Sequence, residues 1–177
     1  MFNGWFTKTK ATSVAQLVDG KTATLQGTVR VGVGRVKAPL SAHNTPYYLI
    51  AVEDTEPPFT EADGLPFFMS VGTDTVVVDP CGAIPVFHDR HANRYHADHP
   101  AVMQFEASRH YQRSHGLVAD LALFREWRLA DGAELEIVGA VFRDVQAAQQ
   151  QQGDYRDSTT QWLLRSTPTM PLMMRWR

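Results

Sequence analysis

The stretch "TATLQGTVRVGV", residues 22–33, sets the expected fold because it alternates apolar and polar residues along its whole length. A period of two is typical of a β-strand with one buried face and one solvated face. The inward face is expected to carry Ala23, Leu25, Gly27, Val29 and Val31. The sequence therefore predicts a long first strand with one wet side.

Other strand-like segments lie on both sides of one helix-like segment. Residues 46–54 ("PYYLIAVED") predict a second strand, and residues 66–80 predict a hairpin or a bent third strand. The acidic connection between them contains Pro57-Pro58, which argues against a regular element there. Apolar residues near helical spacing predict a helix from Asp98, its N-cap, to about His115. Strands are expected again at 122–129, 133–142, 159–165 and 171–176.

The order of these elements indicates the fold class. Three strands, a helix and at least two further strands are expected of a mainly β, OB-fold-like protein, a five-stranded Greek-key barrel with its helix between strands three and four. Extra hairpin and loop insertions hold the remaining residues. We expect the helix to close one end of the barrel, with Val102 and Phe105 buried and Arg109 and Arg113 exposed. A β-sandwich with an accessory helix is the alternative.

Length and composition fit one folded domain. The 177 residues are 44% hydrophobic and 20% charged, which is ordinary globular usage. We expect a single domain over residues 1–177, with its core at about 12–176 and a glutamine-rich loop at 146–153. No apolar run reaches the roughly 18 residues that span a bilayer, and the N-terminus lacks the pattern of a signal peptide. The chain is therefore expected to be cytoplasmic or membrane-peripheral.

A histidine array at residues 87–100 ("FHDRHANRYHADHP") raises the question of a metal site. Imidazoles bind zinc, copper or nickel, and the four in this array are His88, His91, His96 and His99. However, Asp89, Arg90 and Arg94 interrupt the array, and metal ligands usually need orientation by further partners. We interpret these histidines as solvated loop and helix-start residues and expect no cofactor. A metal-binding protein is kept as an alternative.

Enzymatic sequence patterns are not found. The sequence has no G-x-S-x-G, phosphate-loop or H-E-x-x-H pattern, and its single cysteine, Cys81, excludes intramolecular disulfides and multi-cysteine zinc sites. We therefore expect a protein that is not an enzyme. Single-stranded nucleic-acid binding is an alternative for an OB-fold. The net charge of -2 and the acidic residues between 53 and 79 argue against it.

Three short motifs carry a resemblance to a known family. Residues 35–54 ("RVKAPLSAHNTPYYLIAVED") hold a Pro-Leu-Ser run before a tyrosine-rich strand, and residues 76–83 ("VVVDPCGA") hold a Val-x-Pro-x-Gly-Ala segment. Residues 123–141 ("LFREWRLADGAELEIVGAV") hold an Arg-Glu element, a glycine-containing turn and a strand that ends near a glycine. These motifs resemble the GIDE-type, or beside-a-membrane, domain of a mitochondrial membrane-anchored E3 ubiquitin ligase and of many prokaryotic membrane proteins.

The resemblance implies a non-catalytic domain that recognises a protein or envelope ligand at or near a membrane. Ligase activity is not implied, because a RING needs about eight Cys and His ligands and one cysteine cannot supply them. The residues that match the family motif are Pro39, Leu40, Ser41, Glu126, Gly132 and Gly139.

The motif residues also have a physical interpretation. Pro39 predicts a turn, Asp131-Gly132 a two-residue hairpin turn, and Gly139 a bulge. Glu126 lies between apolar residues of a predicted strand, where a buried carboxylate needs a partner. The expected partner is an arginine in a salt bridge, and the candidates are Arg125, Arg128 and Arg30.

Two sets of side chains are candidates for contact with a partner. One ring of the Tyr47-Tyr48 pair is expected in the core and the other outside. The aromatic residues assigned to partner binding, or to base stacking in the nucleic-acid alternative, are Tyr47, Tyr48, Trp127 and Trp162. Aromatic residues beside cations suit a membrane interface, so the two chain ends are expected to meet on a membrane-facing side. Those residues are Phe2, Trp5, Phe6, Lys8, Lys10, Met174, Arg175, Trp176 and Arg177.

Overall fold

Thirteen strands and an α-helix are distributed over residues 11–32, 34–52, 59–109, 122–144 and 161–177, the residues that the computed structural model describes. The strands are β1 (Thr22–Arg30), β2 (Val36–Lys37), β3 (Asn44–Thr45), β4 (Tyr47–Val52), β5 (Phe59–Gly64), β6 (Phe67–Val71), β7 (Asp74–Val78), β8 (Ile84–Val86), β9 (Asn93–His96), β10 (Leu123–Arg128), β11 (Glu134–Asp144), β12 (Gln161–Arg165) and β13 (Met173–Trp176). The helix α1 is Pro100–Arg109, and short 3-10 turns lie at Val14–Gln16 and Asp89–His91.

Five strands close into a barrel in the order β1-β6-β7-β12-β11 and back to β1. β7 and β12 pair in parallel, and the other neighbours are antiparallel. The fourth barrel strand along the chain, β11, lies beside the first, which is the Greek-key arrangement. Since α1 lies between the third and fourth barrel strands, the predicted OB-like barrel is confirmed. β13 and β8 extend the sheet beyond β11.

The first strand forms largely as its alternation predicts. Leu25 and Val29 are fully buried in the barrel core, because every second side chain of a strand points to the same face. The other face of β1 is not solvent-exposed throughout, since Thr24, which pairs with Val138 of β11, is only 5% exposed. The strand ends at Arg30 rather than at residue 33.

Gly27 lies on β1 directly before the pairing with β6 begins. A Cβ atom at this position would stand 2.2 Å from the carbonyl oxygen of Ser70. β1 pairs with β11 as far as Thr28 and with β6 from Thr28 onwards. Closure of the barrel at this corner therefore requires a residue without a side chain.

A second antiparallel sheet, in the order β5-β4-β10-β9, packs between the barrel and α1. Along β4, Tyr47 belongs to the barrel core, whereas Tyr48 and Ile50 belong to a second core with Val102 and Phe105 of α1. Both faces of β4 are therefore covered. This explains its continuous apolar run, "YYLIAV", which is typical of a fully buried strand.

Several expectations for this region are corrected. The strands predicted at 46–54 and 122–129 belong to the second sheet, so barrel strands two and three are β6 and β7, the hairpin predicted at 66–80. The helix covers the second sheet rather than an end of the barrel, although Val102 and Phe105 are buried and Arg109 is exposed as expected. The acidic connection contains β5, which pairs with β4.

The helix begins two residues after the expected N-cap. The Nδ1 atom of His99 accepts a 3.2 Å hydrogen bond from the N–H of Ala101, so His99 rather than Asp98 caps the helix. Pro100 takes the first helical position, where its fixed φ and missing N–H are well tolerated. Residues 57–58, 110–115 and the glutamine-rich loop at 146–153 lie outside the described residues. In the part of the chain that the structure describes, no helix is long and apolar enough to cross a membrane.

Candidate functional site

Two of the motif stretches meet at a buried carboxylate. Glu126 of β10 has no exposed surface, and its Oε2 atom accepts a 2.8 Å hydrogen bond from the backbone N–H of Leu40. The N–H of Ser41 donates to both carboxylate oxygens at 3.2 Å. Two successive backbone N–H groups thus form a small anion-binding concavity. We call Leu40, Ser41 and Glu126 the carboxylate clamp.

The loop between β2 and β3 positions the two N–H groups. The N–H of Ala38 donates to the carbonyl of His43, and the N–H of Ala42 donates to the carbonyl of Ala38, both at 2.9 Å. Pro39 is partly buried within this loop, and Leu40 is a buried member of the second core. Ala42 has a φ of 58°, which is unfavourable for a residue with a Cβ atom. Hydrogen bonds, the apolar anchor and Glu126 together hold the loop despite this strain.

The partner of Glu126 differs from the expected arginine. Its hydrogen bonds come from main-chain N–H groups, and the bond from Leu40 has the short length of a charge-assisted bond. Tyr95 of β9 is close to the clamp: burial and the charge of Glu126 raise the pKa of its hydroxyl, while Arg128 and the Ser41 side chain oppose that rise. The clamp therefore draws the β2–β3 loop onto β10 and β9.

The two motif glycines have other roles than those predicted. Gly132 has a φ of 83° in a turn closed by the Ala133 N–H and the Ala130 carbonyl at 3.1 Å. This turn is not a hairpin, because it joins β10 and β11, which belong to different sheets. At Gly139 the pairing with β1 continues without a bulge. A Cβ atom there would lie 2.4 Å from Cδ1 of Leu172, so Gly139 makes room for Leu172 where β11 changes partner from β13 to β12.

The four aromatic residues predicted to contact a partner lie inside the protein. Their exposed fractions are 2% for Tyr47, 3% for Tyr48, 5% for Trp127 and 8% for Trp162. The Nε1 atom of Trp127 donates a 3.1 Å hydrogen bond to the carbonyl of His88. Both tyrosines are buried, one in each core, because β4 is covered on both faces. The expected stacking surface is therefore corrected, since these rings present no open face to a partner.

Tyr48 belongs to a polar network that ties α1 to the second sheet. Its hydroxyl donates a 2.8 Å hydrogen bond to Oε1 of Glu61, and Arg109 donates two further bonds to the same carboxylate at 2.9 and 3.0 Å. Burial raises the pKa of Glu61, but the bonds from Arg109 and Tyr48 outweigh it, so the pKa lies below its ordinary value. The network is a structural link between β4, β5 and α1.

The C-terminal residues predicted to face a membrane lie on or next to β13, which extends the barrel sheet beyond β11. Met174 is fully buried and Trp176 is 9% exposed, because β13 pairs with both β11 and β8. Arg175 is hydrogen-bonded to Glu136. Arg177 is exposed and donates to Gln26 at 2.8 Å. The expectation of a C-terminal membrane-facing surface is corrected for the two apolar side chains. The predicted N-terminal residues, Phe2, Trp5, Phe6, Lys8 and Lys10, lie outside the described residues.

The four histidines are not gathered into one site. The ring of His91 stacks on Trp176 with centroids 4.7 Å apart, and burial lowers its pKa, helped by the charges of Arg90 and His88. His99 caps α1, while His88 and His96 are exposed. Among the residues that the structure describes, no three His, Cys, Asp or Glu side chains are placed to hold a metal ion.

Sequence reasoning missed a row of four apolar side chains on the outside of the barrel. Phe68 of β6 lies opposite Val77 of β7, Val77 lies beside Leu163 of β12, and Leu163 lies opposite Phe142 of β11. Each is partly exposed, whereas Phe67, Met69, Val76, Val78, Val141, Trp162 and Leu164, which alternate with them, belong to the core. We call Phe68, Val77, Leu163 and Phe142 the outer row.

Comparison with protein-family models finds no matching family, and no curated protein and no solved structure matches the chain. The carboxylate clamp and the outer row are therefore interpreted from their own geometry and chemistry, together with the motif resemblance.

Proposed function

We propose that this chain is a GIDE-like, non-catalytic recognition domain that binds a protein or envelope ligand at or near a membrane. The observation that carries the proposal is the carboxylate clamp. Leu40 and Glu126 belong to two different motif stretches and are 86 residues apart in sequence, yet they form a direct hydrogen bond. The two motif stretches are therefore joined directly in the folded chain.

The third motif stretch lies against the first, which supports the same interpretation. A Cβ atom on Gly64 would stand 2.7 Å from the ring of Tyr47 and 3.0 Å from the ring of Pro80, so both residues border one small space. The chain then turns, with the Asp79 carboxylate accepting a 3.0 Å bond from the N–H of Cys81. The three motif stretches thus contribute to one connected scaffold.

A recognition role also fits the chemistry of the motif. Glu126 is the carboxylate that the motif supplies, and main-chain N–H groups bind both of its oxygens. A general acid or base must reach a proton of its substrate, whereas Glu126 is fully buried. Burial of Tyr47, Tyr48, Trp127 and Trp162 favours a protein or envelope ligand over stacked bases.

Proximity labelling in the cells that produce the chain tests this proposal. The full chain is fused to a promiscuous biotin ligase, and we expect membrane or envelope proteins to dominate the biotinylated set. Glu126→Gln, which weakens the clamp, should reduce this enrichment, and Glu134→Gln, at an exposed carboxylate of β11, should not. Enrichment of nucleic-acid-bound proteins would contradict the proposal. So would an identical set of biotinylated proteins when the biotin ligase is expressed without the chain.

A further inference from the structure

Two exposed arginines lie beside the outer row. Arg30 is exposed at the end of β1, directly opposite Phe68. Arg165 is exposed at the end of β12, and its guanidinium carbon lies 4.5 Å from the centroid of the Phe142 ring. The sequences of β6 and β12 contain no acidic residue, β7 contains Asp74 at its first position, and β11 contains Glu134, Glu136 and Asp144. The four side chains of the row are thus apolar, and an exposed arginine lies beside each end of it.

We infer that the outer row docks the domain on the surface of an anionic lipid bilayer. The inference rests on the proposed function, to which it adds the contact surface and the chemistry of the lipid. Aromatic rings settle among lipid headgroups, and arginines are attracted to anionic lipid. Guanidinium groups also form strong bonds with phosphate oxygens. Arg165 above Phe142 places both chemistries at one point of the surface.

Charge complementarity and spacing favour lipid over single-stranded nucleic acid. Three strand spacings of about 4.8 Å separate the two rings of the row, which places them roughly 14 Å apart along the surface. The side chains between them, Val77 and Leu163, are aliphatic. Nucleic-acid surfaces of this fold class stack successive bases on rings, and two widely separated rings do not supply such a platform. A row of rings and aliphatic groups suits the boundary between headgroups and acyl chains.

The outer row also replaces the surface that the chain ends were predicted to form. Met174 and Trp176 of β13 are buried against the barrel core, so they have little apolar surface to offer a bilayer. Arg90 and Arg177 lie near β13. Arg90 donates a 2.8 Å hydrogen bond to His91, whose ring stacks on Trp176, and Arg177 directly follows Trp176. These two exposed arginines therefore provide a matched control for charge changes at the outer row.

Co-sedimentation of the full chain with vesicles tests the inference. The vesicles are phosphatidylcholine alone or phosphatidylcholine mixed with phosphatidylserine. We expect binding to the mixed vesicles that weakens as salt is raised, because surface charges are screened. The double variant Arg30→Glu with Arg165→Glu should lower the partition coefficient at least about tenfold. The double variant Arg90→Glu with Arg177→Glu, which makes the same change in net charge, should bind like the wild type.

A second variant keeps charge constant and tests the apolar part of the row. Val77→Thr with Leu163→Thr should also weaken binding to the mixed vesicles, and thermal unfolding of every variant checks that it remains folded. If this variant does not fold, the exposed arginine pair decides the outcome alone. The inference is overturned if the wild type binds no vesicles, if both arginine pairs have equal effects, or if the outer row is needed for a single-stranded oligonucleotide instead. If proximity labelling enriches membrane proteins but the chain binds no vesicles, the outer row is not the contact surface. The proposed function is retained in that case.

Discussion

The backbone N–H of Leu40 donates a 2.8 Å hydrogen bond to Oε2 of Glu126, a carboxylate without exposed surface. This bond fastens the β2–β3 loop to an inner strand of the second sheet. A hydrogen bond to a charged group contributes about 1.5–3 kcal/mol, and a buried charge that loses its partners costs more. The loop and the sheet are therefore expected to form and to unfold together.

Replacement of Gly27 by alanine should prevent proper closure of the barrel. The new Cβ atom would stand 2.2 Å from the Ser70 carbonyl oxygen, and neither backbone can move without disturbing the β1–β6 pairing. We expect the free energy of unfolding to fall by about 3 kcal/mol or more in urea titration. Gly72→Ala is the control, because that site has a φ of 63° but no atom within 4 Å, and it should cost only about 1–2 kcal/mol. Equal losses at the two sites would contradict the close-approach argument.

Removal of the Tyr47 hydroxyl should stabilise the protein. This oxygen is buried without a hydrogen-bond partner among the described residues, and burial raises its pKa well above the ordinary value. Because an unpaired buried hydroxyl is costly, Tyr47→Phe should raise the free energy of unfolding by about 1 kcal/mol. Tyr48→Phe is the matched control and should lower it by a similar amount, since the Tyr48 hydroxyl donates to Glu61. A loss of stability in Tyr47→Phe would show that its hydroxyl does have a partner.

The contribution of Glu61 should depend on pH. Its folded-state pKa lies below the ordinary value of 4.5, so its charge stabilises the fold above that pH, and the stabilisation is lost as the pH falls through the folded-state pKa. The effect should stay below about 1 kcal/mol, because the Arg109 side chain is 47% exposed and water screens the pair. Urea titrations of wild type and Glu61→Gln at neutral and acidic pH measure the difference. A difference that is unchanged or larger in acid would disprove the assignment.

Chelator treatment should leave the melting temperature unchanged within about a degree. A metal that defines a fold contributes on the order of 10 kcal/mol in small domains, and the described histidines are engaged separately rather than around one ion. The measurement is a thermal melt before and after dialysis against chelator, with zinc added back as the control. A fall of roughly ten degrees, restored by zinc, would show that the histidine array does hold a metal.

The closed barrel could be predicted because its evidence is periodic. Leu25 and Val29 mark the inner face of β1 by alternation, and the order of strands and helix limits the arrangements that remain. The membership of β4 could not be predicted. The order of elements alone assigns the run "YYLIAV" to the barrel with one tyrosine outside, because nothing in the sequence shows that a second core covers the other face of β4.

The partner of Glu126 could not be predicted from side chains. Every residue except proline carries a backbone N–H, so no sequence pattern distinguishes Leu40 and Ser41 as donors, whereas nearby arginines are conspicuous. The outer row could not be predicted from the sequence for a related reason. Phe68, Leu163 and their neighbours lie in runs that are apolar throughout, and only the strand register separates the outward residues from the inward ones.

Amide hydrogen exchange at Leu40 and Ser41 tests the carboxylate clamp most directly. In the wild type both N–H groups should exchange slowly, although they lie in a loop, because Glu126 accepts their hydrogen bonds. Glu126→Gln should speed exchange at these two positions at least about tenfold and lower the free energy of unfolding by about 2 kcal/mol. The control Glu134→Gln should change neither. Rapid exchange of both amides in the wild type, or unchanged exchange in Glu126→Gln, would contradict the account.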